Sequence, residues 1–138
     1  MKNDDVFDLI KQRVDRGARA ELTVTGISMM PLFKDGVTMV ELTAPAKIKK
    51  YDIVLYKRKN GAVVLHRVVK VAKDSLNCRG DNELVTEKGV DKSLVAALAV
   101  RAETEGKSRK LQGFSHRMYG RLRVLRRTAL RMLRGKRG

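Results

Sequence analysis

Apolar residues recur in this chain with two different periods. Near the start, Val6, Ile10 and Val14 fall on every fourth position, the spacing of one face of a helix. A short amphipathic helix is expected over Asn3 to Arg16, with Asn3 or Asp4 as its cap, acids in its first turn and Gly17 as its stop. From Ala20 the period drops to two. Leu22 and Val24 alternate with Glu21, Thr23 and Thr25, as in a half-buried strand that ends at Gly26. Pro31 cannot donate to a sheet ladder, so pairing is expected to stop there. Further strands are expected at Val37 to Leu42, Asp52 to Lys57, Val63 to Val71, Leu76 to Arg79 and Val95 to Val100. Turn signals separate them: Asp35-Gly36, the loop around Pro45, Lys59-Asn60-Gly61 and Arg79-Gly80-Asp81-Asn82. Many short strands behind one helix predict a mostly β, antiparallel domain.

Beyond Glu105 the pattern changes again. Gly106 to Gly113 reads as a polar linker. Phe114, Met118, Leu122, Leu125, Ala129 and Leu133 then share one helical face, flanked by Arg117, Arg121, Arg127, Arg131 and Arg134. The expected organisation is a β domain with its N-terminal helix over 1–105, then a linker and a basic amphipathic helix over 106–138. There is no internal repeat.

Charge sharpens this picture. The chain has 138 residues and a formal net charge of +16, and twelve Lys or Arg with no acid lie between Lys107 and Gly138. Such a segment calls for an anionic partner: lipid headgroups, nucleic acid or an acidic protein. The helix could pack its apolar face on the β domain and expose its arginines, but the apolar stripe between the arginines favours an anionic membrane surface. No aromatic interleaving or base-reading motif supports nucleic acid. No run approaches the length of apolar sequence that crosses a bilayer, and the acidic start lacks a signal-peptide core, so a cytoplasmic, membrane-peripheral protein is expected. The single Cys78 excludes an intrachain disulfide and reads as a small buried hydrophobe. Two distant histidines and scattered acids give no metal-ligand spacing, so neither a metal nor a cofactor is expected.

The candidate chemistry sits in two short runs, Gly26-Ile27-Ser28-Met29-Met30-Pro31 and Leu65-His66-Arg67-Val68-Val69. A serine hydroxyl near neutral pH needs a base to take its proton, and histidine is the side chain best suited. Each residue also has a plain structural role open to it. Ser28 could end a strand or cap a turn, His66 could be a half-buried strand residue, and Asp81 could cap its own backbone in a Gly-Asp-Asn turn. Met29 reads as packing beneath the serine turn, Asp35 and Asp52 as turn or solvated strand-end residues, and His116 as a solvated helix residue.

Four runs carry a family resemblance: Thr25 to Pro31, Lys50-Tyr51-Asp52-Ile53-Val54, Leu65 to Val69, and Arg79-Gly80-Asp81-Asn82. Their order is that of the signal peptidase boxes, and together they cover roughly Leu22 to Val100. The chain resembles the signal peptidase and Lex-repressor-type serine peptidase superfamily. With His66 where the bacterial enzymes carry lysine, it is most similar to the endoplasmic-reticulum and archaeal type. The resemblance implies a coiled antiparallel β domain, Ser28 as nucleophile and His66 as general base. It implies Asp81 or Glu87 as the acid that orients the histidine, and the Gly26, Ser28 and Met29 turn as the nucleophile and oxyanion region. Glu87 stands where the family carries aspartate, and Tyr51 where glycine usually precedes Asp-Ile-Val. Gly26 lacks a hydroxyl that some bacterial members supply to the oxyanion, which leaves the Ser28 N–H and Thr25. The implied substrate is an extended peptide or protein segment with small residues beside the scissile bond, added along a sheet edge. The expected function is removal of a leader or pro-segment. Two readings from other classes stand beside it: a non-catalytic peptide-binding or regulatory domain on the same scaffold, and a basic nucleic-acid-binding module.

Overall fold

A computed structural model describes residues 3–137, with side chains from Asp5 to Arg134. The proposed caps, Asn3 and Asp4, lie outside the described side chains. Helix α1 (Asn3–Asp15) is followed by β1 (Ala20–Thr23), β2 (Met39–Thr43), β3 (Ile53–Lys57), β4 (Val63–Val71), β5 (Ser75–Arg79), β6 (Glu87–Asp91), β7 (Val95–Thr104), β8 (Lys107–Lys110) and helix α2 (Phe114–Arg137). The strands form one antiparallel sheet in the order β1-β2-β7-β3-β4-β5-β6, with β8 folded back on β7. The fold class is the mostly β, two-helix architecture expected.

The sheet buries apolar side chains on both faces. Ile53 and Leu55 of β3 join Val40, Leu42, Ala97 and Ala99 beneath α1, whose Phe7, Ile10 and Val14 complete that core. The intervening Val54 and Tyr56 point the other way, onto Val68, Leu76, Cys78 and Leu98. Alternation along a strand places neighbours on opposite faces, so β3 is buried from Ile53 to Tyr56 and half-buried at Lys57. Cys78 is buried, as expected of a small hydrophobe.

Two strands depart from the expected set. Glu-Lys-Gly-Val-Asp forms β6 against β5, and Lys-Ser-Arg-Lys forms β8 against β7. The expected linker is therefore a hairpin strand, and Leu111 just after it is wholly buried in the α1-side core. A ladder needs only backbone donors and acceptors, so a wholly polar segment joins a sheet when a partner edge is adjacent.

The sheet leaves two edges free near the serine and histidine runs. Among the described residues β1 pairs with β2 alone. The first half of β4, Val63 to His66, pairs with β3 alone, because β5 begins to pair at Arg67.

Candidate functional site

The loop between β1 and β2 holds the serine. It is closed by Val24 N–H to the Thr38 carbonyl, by Gly36 N–H to the Val24 carbonyl, and by Gly26 N–H to Asp35 Oδ1 at 2.8 Å. Asp35 thus serves the turn, as expected. Gly26 has φ +89°, a conformation where glycine has no steric penalty. Met29 is buried beneath the turn, and its Sδ lies 3.4 Å from the Asp81 N–H that points at it. Ser28 is half-buried. Its hydroxyl and its N–H make no hydrogen bond among the described residues.

The loop after β5 is stitched to that turn. Asn82 N–H donates to the Ser28 carbonyl at 2.8 Å, and Asn82 Nδ2 to the Ile27 carbonyl at 3.1 Å. Gly80 is the knot. A Cβ there would lie 2.6 Å from the Ser28 carbonyl oxygen and 2.5 Å from Glu83 Oε1. Only glycine lets the serine turn and the Glu83 carboxylate close around one point.

His66 lies on β4 opposite Val54 and is buried. Its Nε2 is 2.9 Å from Glu83 Oε1, and its Nδ1 is 3.3 Å from the Tyr56 hydroxyl. Burial lowers the His66 pKa below its ordinary value, against the pull of Glu83. The imidazole is therefore neutral near pH 7 and able to accept a proton. Burial first, then the charges of Cys78 and Glu87 and a hydrogen bond to Glu87, raise the Tyr56 pKa, so the phenol keeps its proton.

The two acids expected beside His66 are engaged elsewhere. Asp81 is buried and takes both Nε and Nη2 of the fully buried Arg67, at 2.7 and 2.8 Å. Glu87 pairs with Arg58 at 2.6 Å. It faces the same hollow as His66 and its charge opposes the lowering of the His66 pKa, but no hydrogen bond joins the two among the described residues. The carboxylate on the ring nitrogen is Glu83, which lies outside the family motifs. Its signal is position alone, two residues after Asp81 on the same turn.

Ser28 and His66 open onto different hollows. Ser28, Met29, Thr25, Phe7, Leu55 and Leu65 line an apolar cavity of about 300 Å³. His66 opens, with Glu83, Glu87 and Arg58, onto a polar hollow of about 410 Å³. Leu65 and His66 are neighbours on a strand and so point to opposite faces. No hydrogen bond joins Ser28 to His66 among the described residues. The structure brings the serine turn to the Gly80–Glu83 loop, and that loop to His66.

One further residue departs from expectation. His116 is buried, not solvated: its Nε2 sits 3.1 Å from Arg67 Nη1 and 3.2 Å from the Tyr51 carbonyl. Burial, then Arg67, pushes its pKa down to about 4. Asp52 serves a turn, as expected, though it is buried: Oδ2 accepts from Lys49 N–H and its own N–H donates to the Lys49 carbonyl. Tyr51, the unusual residue before Asp52, has φ +76°, which explains why glycine is the easier residue there. Among the described residues no group of His, Cys, Asp and Glu is placed to hold a metal ion.

No protein-family model matches this chain, and no curated protein matches its sequence.

Proposed function

We propose that the chain is a serine endopeptidase of signal-peptidase type that trims a leader or pro-segment, working in the cytoplasm at the periphery of a membrane. Ser28 is the nucleophile and His66 the general base. The observation that carries this reading is the knot at Gly80, which ties a Ser28 hydroxyl and N–H with no hydrogen bond among the described residues to the loop whose Glu83 sits on a neutral, buried histidine.

In the resting arrangement Glu83 occupies Nε2. The Glu83 side chain is two-fifths exposed, so it leaves for water at small desolvation cost. At rest the neutral ring donates its Nε2–H to Glu83, so release of Glu83 is accompanied by loss of that proton to water and its return at Nδ1. Once substrate binding along β4 brings Ser28 and His66 together, Nε2 takes the Ser28 proton as Oγ attacks the peptide carbonyl, and returns it to the leaving amine. Nδ1–H donates to the Tyr56 hydroxyl, which is backed by Glu87, so that residue supports the base through the phenol. The free Ser28 N–H stabilises the oxyanion, and water clears the acyl-enzyme. The substrate enters as a strand between the open edges of β1 and β4. One of its apolar side chains fills the 300 Å³ cavity, a volume that also admits side chains larger than the small residues inferred from the motifs.

One observation favours a second reading. Both His66 nitrogens have partners and neither is Ser28, as in a peptide-binding domain without catalysis on the same scaffold. Labelling with a serine-reactive acylating probe, mapped by mass spectrometry, decides between them. The peptidase reading requires adduct on Ser28 that disappears in Ser28→Ala and in His66→Ala. A folded protein that takes no label leaves peptide binding as the function.

A further inference from the structure

Helix α2 is packed with its polar side inward. Its inner face carries His116, Gly120, Arg123 and Arg127. Arg123 Nη2 and Arg127 Nε both donate to the Asp81 carbonyl at 3.2 Å, and Arg127 Nη2 donates to Asn82 Oδ1 at 2.6 Å. From the domain side, Arg79 Nη2 donates to the Val124 carbonyl and contacts Thr128 Oγ1. Guanidinium groups in hydrogen bonds to partly buried acceptors replace the apolar seam that usually docks a surface helix.

The consequence is on the outer side. Phe114, Met118, Leu122, Leu125, Met132 and Leu133 all face solvent, with Phe114 79% and Leu122 63% exposed. A continuous apolar stripe on a 24-residue helix, roughly 36 Å long at 1.5 Å per residue, is too large to be incidental. Arg121 and Arg126 border it. Beside it lies the exposed β8 hairpin, whose Arg109 guanidinium sits 5.2 Å from the Tyr119 ring on α2. No acid occurs anywhere after Glu105. No helix among the described residues is long and apolar enough to cross a membrane, so such a stripe lies along a surface.

We infer that α2 docks the domain on an anionic lipid bilayer, its outer stripe entering the headgroup boundary while the bordering arginines and the β8 hairpin meet lipid phosphates. Charge decides among possible occupants. A second copy of this chain would bring an equally cationic stripe against the first. Nucleic acid would satisfy the arginines and leave six large apolar side chains in water. An anionic bilayer satisfies both at once. The inference concerns α2 alone, so it stands or falls apart from the chemistry of Ser28.

The chain has no tryptophan, so Leu122→Trp in the full-length protein is a clean probe. With phosphatidylglycerol-containing vesicles its emission shifts to the blue and is quenched by brominated acyl chains; with pure phosphatidylcholine it does not move. In flotation assays Leu122→Asp/Leu125→Asp loses more than about tenfold in vesicle affinity, and Arg121→Glu loses about fivefold or more. Both substitutions are at exposed sites, and circular dichroism checks that the fold is retained. Absence of binding to anionic vesicles at low salt overturns the inference, as does equal binding to neutral ones. Two other results also overturn it by assigning the face elsewhere: a concentration-dependent dimer abolished by Leu122→Asp/Leu125→Asp, or duplex DNA binding that this variant leaves intact.

Discussion

The two helices of this protein have the same kind of pattern and opposite placements. In α1 the apolar residues Phe7, Ile10 and Val14 are buried against the sheet, while Lys11 and Asp15 face water. In α2 the stripe from Phe114 to Leu133 faces water, and Arg123, Arg127 and His116 are turned inward. The surface beneath each helix explains the difference. α1 lies over Val40, Leu42, Ile53 and Leu55, which offer only apolar contact. α2 lies over the Tyr51 and Asp81 carbonyls, Asn82 Oδ1 and the Arg67–Asp81 pair. An amphipathic period establishes that a helix has two faces. Which of them turns inward depends on the chemistry of the bed.

The largest effects should separate the two stripes. Phe7→Ala removes a side chain that is 6% exposed and is expected to cost about 3–5 kcal/mol in urea unfolding, from lost burial and the cavity left behind. Leu125→Ala on α2, 55% exposed, should change stability by no more than about 0.5 kcal/mol in aqueous buffer. Similar losses at both positions would mean that the outer face of α2 is covered in solution and that the contrast fails.

Acid should act on one helix and spare the other. His116 has an ordinary value of 6.5 and a folded value of about 4. Its pKa is depressed on folding, so below pH 6.5 the unfolded chain binds the extra proton. The stability that the neutral imidazole contributes is present above pH 6.5, falls as pH drops toward about 4, and changes no further below that. This gap is worth at most about 3 kcal/mol. The cause is burial, then Arg67, with Arg109 adding to it and Asp81 and the Tyr51 carbonyl opposing it. Among the described side chains, the residues of α1 buried against the sheet, Phe7, Ile10 and Val14, do not titrate. Hydrogen exchange measured from pH 7 to 4 should show protection lost earlier in α2 than in α1. His66 is also held low and titrates in the same direction, so His116→Gln is the control: it should flatten the α2 response and leave that of His66. Equal loss of protection in both helices would remove His116 as the cause.

This difference in bed also marks what the sequence could and could not disclose. Strands with an apolar alternation, such as β4, and both helices follow from local pattern, and β4 runs over Val63–Val71 as expected. β6 and β8 have no such pattern, because their strand state comes from the edges of β5 and β7 beside them. The serine turn, the Gly-Asp-Asn loop and the His66 strand are legible as motifs, and the chain does bring the first two together. The pairing of acids is not legible. Asp81, Glu83 and Glu87 lie within seven positions, and their partners Arg67, His66 and Arg58 lie on other segments. Nothing local tells one carboxylate from the next. The burial of His116 has the same origin, since Arg67 is 49 positions away.

The smallest expected effect tests how α2 is seated. Gly120 faces the domain, and a Cβ there would lie 2.6 Å from Arg67 Nη1 and 3.0 Å from Tyr51 Cβ. On an exposed stretch of helix, Gly→Ala stabilises by about 1 kcal/mol because alanine gives up less backbone freedom. Here the added methyl meets a guanidinium that cannot easily give way. Its other nitrogens are held by Asp81, and the same Nη1 donates to the Tyr51 carbonyl. Overpacking costs of about 1–3 kcal/mol outweigh the helix gain, so Gly120→Ala should lower stability by about 1 kcal/mol net. If α2 instead rested loosely on the domain, the helical preference of alanine would win and the variant would be more stable than the parent. The sign of a single urea-unfolding shift therefore reports whether the inward polar face is a packed interface. It also bears on the catalytic proposal, because Arg67 holds Asp81, and the Asp81–Asn82 loop holds the Ser28 turn. A helix lifted by one methyl should slow acylation of Ser28 as well as loosen α2, whereas the same substitution in a loosely seated helix would leave acylation unchanged.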